Sequence, residues 1–141
     1  MKLLTYDSGS GPRCGVLRGD DLVDVADLLG VNQPLQDVRA LLELSESAVD
    51  QVRTALASNS AAPSVPLANV RLRSPVLQPP TVRDYMIYEE HATGQGTRTR
   101  EEAWYRMPIF YFSNPLCIAG PDDEIPFPSA SDMLDYELEI G

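Results

Sequence analysis

The chain has 141 residues, is 43% hydrophobic and 23% charged, and carries a net charge of −10. That composition fits a globular domain, or part of a larger one, and excludes a disordered segment. The negative charge argues against a nucleic-acid partner, because phosphates reward Lys and Arg, and it is compatible with a divalent metal site.

The two cysteines, Cys14 and Cys117, belong to no CxxC or Cys/His cluster, so zinc is not suggested. Met1–Asp7 contains no apolar h-region of a signal peptide. No run approaches the ~20 apolar residues of a membrane span. The expectation is a cytoplasmic protein with reduced thiols and no membrane partner.

In chain order, Lys2–Tyr6 reads as a strand, Ser8–Pro12 as a turn, Cys14–Leu17 as a second strand and Arg18–Asp21 as a hairpin turn. Leu22–Val25 follows as a third strand, completing a small β-meander. Over 35–57, Leu35, Val38, Leu41, Leu42, Leu44, Val49, Val52 and Leu56 form one apolar stripe at mostly three- and four-residue steps. This predicts helix, with Ser45-Glu46-Ser47 a candidate break. Ser58–Ala68 is small, polar and Pro-bearing, the best linker in the chain. Asn69–Leu77 reads as extended until Gln78-Pro79-Pro80 stops it. The expected domains are therefore 1–60, a connecting segment 61–80, and 81–141.

The spacing predicts a helix over Thr81–His91, with Thr81 as its N-cap. Asp84 and His91, close to two turns apart, would then share a face roughly 10 Å apart along the axis. His91 is the sole histidine, and it reads either as a favourable charge at a helix C-terminus or as a functional base. Thr93–Gly96 ends the helix. Residues 97–107 read as a solvated loop with a short helix, or as the place where an Arg reaches an anionic ligand. Met107–Phe112 and Leu116–Ala119 read as short strands, separated by the Ser113-Asn114-Pro115 turn. Ile125–Pro128 is extended.

Leu134–Ile140 alternates apolar and acidic residues with period two, which predicts a strand. Its acidic face, Asp135, Glu137 and Glu139, has two readings: a wet outer surface, or carboxylates roughly 7 Å apart along the backbone that converge on a hard cation.

From Val82 onward the chain resembles the fumarylacetoacetate hydrolase family. The most specific match runs from Pro108-Ile109-Phe110-Tyr111-Phe112-Ser113-Asn114-Pro115 through Gly120-Pro121 and Ile125–Pro128 to Leu134-Asp135-Tyr136-Glu137-Leu138-Glu139, with Arg83-Asp84-Tyr85 and Glu89-Glu90-His91 upstream. The resemblance implies an α+β, mainly β architecture. A small N-terminal β-meander and helix domain would precede the start of a mixed β-roll. It also implies a hydrolase or lyase that cleaves C–C bonds in a keto-acid or 1,3-dicarbonyl substrate with Mg²⁺, Mn²⁺ or Ca²⁺, as a homodimer. On the same grounds Asp84, Glu137 and Glu139 match metal ligands, His91 the base that activates water, and Arg100 and Tyr111 substrate-binding residues.

The chain departs from the family in three places. Many relatives carry His-x-x-Glu where this chain has His91-Ala92-Thr93-Gly94, so a partner that polarises His91 must come from elsewhere or be absent. A substrate-facing Tyr falls at Met86. A further metal-binding Asp lies beyond the acidic strand in the family. The expectation is therefore an N-terminal fragment of such an enzyme. The alternative is a non-catalytic or partner-requiring truncated module with an incomplete metal site.

Overall fold

A computed structural model describes residues 1–59 and 61–136. The chain divides into two compact units, 1–75 with 119–141, and 76–118.

The first unit is built on an antiparallel sheet. β1 (Leu3–Asp7), β2 (Pro12–Arg18) and β3 (Asp21–Asp24) form the meander; the turns expected at Ser8–Pro12 and Arg18–Asp21 are there but shorter, since Pro12, Arg18 and Asp21 belong to the strands. Two short strands, β4 (Val65–Pro66) and β5 (Leu72–Arg73), complete it in the order β4-β3-β2-β1-β5. Thr5 pairs with Cys14 on one side and Arg73 on the other.

Three helices cover the sheet. α1 (Val25–Leu29) follows β3 directly. The expected third strand, Leu22–Val25, is therefore shifted by one residue, and the helix after it is an addition to the sequence expectation. Asp24 is the reason: its Oδ1 accepts from the Asp27 backbone N–H at 3.1 Å, a side-chain N-cap. Gly30 closes the helix at φ 68°, a left-handed C-cap natural to glycine. The stripe over 35–57 splits into α2 (Val38–Leu42) and α3 (Ala48–Ser58), broken around Ser45–Ser47 as expected. Asp37 caps α2 through a bond from the Ala40 N–H at 2.8 Å.

The core joins Cys14, Val16 and Val23 of the sheet to Val25, Leu28, Leu41 and Val52 of the helices. Each fully buried aliphatic side chain among them contributes about 1.5–3 kcal/mol. Thr5 is completely buried, and its hydroxyl donates to Pro75 O at 2.7 Å while accepting from Val38 N at 3.3 Å. One satisfied hydroxyl thus ties β1, the start of α2 and the exit from β5 together. Tyr6 and Arg13 both donate to Asp24 Oδ2 at 2.8 Å. Burial alone would push the Asp24 carboxyl up, but these donors and the Asp27 N–H outweigh it and hold the group below the ordinary Asp value.

The turn after residue 119 rests on this unit. Asp123 accepts from Gly120 N at 2.7 Å and from Arg71 at 2.6 Å. A Cβ on Gly120 would lie 3.1 Å from Arg73 Cα, so glycine permits the close approach to β5.

The second unit holds a two-stranded antiparallel sheet, β6 (Val82–Tyr85) with β7 (Phe110–Ser113). It also carries the short helices α4 (Glu89–Ala92) and α5 (Glu102–Arg106). The helix expected over Thr81–His91 is corrected: its first half is β6, and only Glu89–Ala92 is helical. The strand expected over Leu116–Ala119 is also corrected. Pro115–Cys117 forms one 3₁₀ turn, started by the Asn114 side chain accepting from Leu116 N at 3.0 Å, with Pro115 at the first position.

Leu134, Asp135 and Tyr136 are exposed and belong to no strand. The rest of the expected acidic strand, Glu137 to Ile140, lies outside the described residues.

Candidate functional site

Asp84 sits on β6, not on a helix. The strand prevails because β7 offers each of its inner positions a matched side chain. Asp84 stands opposite Tyr111, Tyr85 opposite Phe110, and Arg83 opposite Phe112. The Tyr111 hydroxyl donates to Asp84 Oδ2. The Tyr85 and Phe110 rings lie 5.1 Å apart, and the Arg83 guanidinium carbon lies 5.3 Å from the Phe112 centroid. Cross-strand pairs of these kinds each contribute roughly 0.2–1 kcal/mol. A lone four-residue segment gains none of them as a helix.

The shared helical face predicted for Asp84 and His91 therefore does not exist. His91 does lie in a helix, the last turn of α4, where it is exposed. The structure brings Asp84 and Tyr111 into contact and places His91 and Arg100 along neighbouring clefts.

An open cleft of about 770 Å³ runs beside α4 and α5. Glu89, Glu90, Thr93, Gln95, Arg100 and Tyr105 contribute to its wall. A second cleft of about 530 Å³ is lined by Glu90, His91, Gly94 and Gln95. Arg100 is half-buried, and its Nε is buried with no hydrogen-bond partner among the described residues. A buried guanidinium N–H without an acceptor is costly, and a ligand carboxylate is the acceptor that fits it best. Trp104 Nε1, on α5, is likewise buried and unsatisfied. The Tyr105 hydroxyl donates to Glu89, and that bond pushes its pKa above the ordinary tyrosine value. Sequence reasoning passed over Glu89, Gln95 and Tyr105. Their approach depends on the turn after α4, for which the sequence holds no pairing signal.

Among the described residues, no group of three or more His, Cys, Asp or Glu is placed to hold a metal. Two of the three predicted ligands, Glu137 and Glu139, lie outside the described residues. As a donor set, Asp84, Glu137 and Glu139 are all carboxylates, the chemistry that suits a hard divalent cation. Among the described residues, no helix is long and apolar enough to cross a membrane.

Residues 81–141 match the fumarylacetoacetate hydrolase C-terminal domain. Over that segment the chain is similar to the fumarylacetoacetate hydrolase family. It is 28% identical over 147 residues to an oxaloacetate tautomerase of Xenopus laevis, a protein named as mitochondrial. That alignment covers 100% of this chain and 43% of the relative. It is 30% identical to a mitochondrial oxaloacetate tautomerase of Bos taurus, covering 100% of this chain and 44% of that one. Among solved structures it resembles maleylpyruvate hydrolase of Sphingobium sp. SYK-6, determined with manganese(II) and pyruvate, at a TM-score of 0.60 and 25% identity. That likeness covers 92% of this chain and 43% of the hydrolase. The chain thus spans less than half the length of these relatives, and it shares a mixed helix and strand architecture with the maleylpyruvate hydrolase.

Proposed function

We propose that this chain is part of a divalent-metal-dependent enzyme acting on a keto-acid or 1,3-dicarbonyl substrate, with C–C bond cleavage as its reaction. One observation carries this assignment. All six residues singled out from the sequence (Asp84, His91, Arg100, Tyr111, Glu137 and Glu139) fall inside the 81–141 segment that matches the family. The names of the relatives support the substrate class, since oxaloacetate, maleylpyruvate and pyruvate are all keto acids.

In this proposal Asp84, Glu137 and Glu139 hold the cation, Mg²⁺, Mn²⁺ or Ca²⁺. The cation supplies Lewis-acid stabilisation of the negative charge that develops on the substrate oxygens. Tyr111 orients Asp84 through its hydroxyl and faces the substrate. Arg100 pairs with the substrate carboxylate. His91 takes the proton of the attacking water. The domain division 1–60, 61–80 and 81–141, the β-roll, homodimerisation and a cytoplasmic setting belong to the same proposal.

Calorimetric titration of Mn²⁺ and Mg²⁺ into the 141-residue chain tests it, beside a Glu137→Ala, Glu139→Ala double variant of equal circular dichroism. Saturable binding lost in the variant is the expected result. Equal heats from both proteins would sink the metal assignment and leave the non-catalytic or partner-requiring module as the better description.

A further inference from the structure

We propose that Gln95 is a ligand-binding residue of the larger cleft, its side-chain amide donating to the carboxylate of the 2-keto acid that Arg100 pairs with. The inference rests on the keto-acid assignment above and extends it to a residue that neither the family resemblance nor the sequence pattern singled out.

The backbone carries the first part. After α4 the chain makes three successive left-handed residues: Gly94 at φ 59°, Gln95 at φ 57° and Gly96 at φ 82°. Glycine occupies the first and third, where the conformation is free of Cβ strain. The middle residue is the sole non-glycine with positive φ among the described residues. Holding a side chain there costs about 1–2 kcal/mol. The turn itself does not call for glutamine. Its bonds are made by main chain and threonine: Gln95 N–H donates to Glu90 O at 2.7 Å, Gly96 N–H to Thr93 Oγ1 at 3.2 Å and Arg98 N–H to Thr93 O at 2.9 Å. Glycine at 95 would make the same turn without strain. A strained side chain at a cavity wall is where a functional contact is found.

The cavity carries the second part. Gln95 and Glu90 are the residues common to both clefts, so Gln95 stands between the wall that carries Arg100 and the wall that carries His91. Its amide has no hydrogen-bond partner among the described residues. The Arg100 Nε is buried and unsatisfied on the same cleft. A carboxylate has two oxygens and about four lone-pair sites. It satisfies the guanidinium with one oxygen and accepts from a neutral amide with the other. Glu90 on the shared wall cannot replace that donor, because an ionised carboxylate only accepts.

Pyruvate, titrated calorimetrically into the 141-residue chain in the presence of Mn²⁺, is the probe. Gln95→Gly removes both the strain and the amide. The expected result is a higher Tm together with about tenfold weaker pyruvate binding, the factor that corresponds to about 1.4 kcal/mol. Gln95→Glu keeps the shape and sets a second anion against the carboxylate, so binding should be lost in a protein that folds normally. Arg100→Ala serves as the reference. If Arg100→Ala loses pyruvate while Gln95→Gly and Gln95→Glu bind it as the wild type does, the keto-acid assignment stands and Gln95 is only a turn residue. If the wild-type chain takes up no pyruvate, both proposals fall.

Discussion

Tyr111 stands directly opposite Asp84 in the β6–β7 ladder, and its hydroxyl donates to Asp84 Oδ2. Two residues 27 positions apart, each chosen from the sequence for a separate role, are one hydrogen-bonded unit. The bond fixes one carboxylate oxygen. A partner of this kind commonly changes metal affinity 10- to 100-fold in known sites. Tyr111→Phe should therefore weaken Mn²⁺ binding about tenfold while leaving the far-ultraviolet circular dichroism unchanged. Unaltered Mn²⁺ affinity in a folded Tyr111→Phe protein would remove Asp84 from the metal site.

A pH dependence follows from Asp24. Its carboxylate accepts from Tyr6, Arg13 and the Asp27 N–H, and its folded pKa lies below the ordinary value. A carboxyl lowered on folding stabilises the protein above its unfolded pKa of about 3.9. That contribution is lost as the pH falls through the lower, folded value. Asp24→Asn should cost about 2 kcal/mol in urea unfolding at pH 7, because Arg13 and Tyr6 lose an ionised acceptor. The gap between wild type and variant should narrow as the pH drops below about 4. A gap that stays constant down to the acid limit would show that Asp24 is not held as an anion by these donors.

The thiols should separate by environment. Cys14 lies in the core, and burial pushes its pKa up to about 12. Cys117 is exposed. At pH 8 a thiol-specific reagent should modify Cys117 in the folded protein and reach Cys14 only after unfolding. Rapid labelling of Cys14 under native conditions would contradict the packing of β2 against α1 and α2.

Features that depend on neighbours a few residues away were readable in the chain alone. The meander of β1, β2 and β3 was legible because Gly and Asp turns punctuate short, mostly apolar runs. The apolar stripe over 35–57 and its break at Ser45–Ser47 were legible because Leu35, Leu41 and Val52 bury in the core, although Leu42 and Leu44 of the stripe are exposed. The Asp24 cap with Gly30 as its stop was equally written in the chain, and α1 could have been read from it. The family was legible because its motif is contiguous over Phe110–Pro115 and Leu134–Glu139.

The other features depend on segments far apart in the chain. Val82–Tyr85 has a composition that allows helix or strand. It becomes a strand because Phe110, Tyr111 and Phe112 stand opposite it, and such pairing is visible only once distant segments meet. That choice abolished the helical face on which Asp84 and His91 were to meet, and replaced it with the contact between Asp84 and Tyr111. The left-handed turn at Gln95 and the unsatisfied Arg100 Nε are likewise invisible to periodicity. A hydrophobic pattern records which side of an element is buried. It does not record which polar groups are left facing one another across a cleft, because that depends on the packing of segments whose separation in sequence has no fixed period.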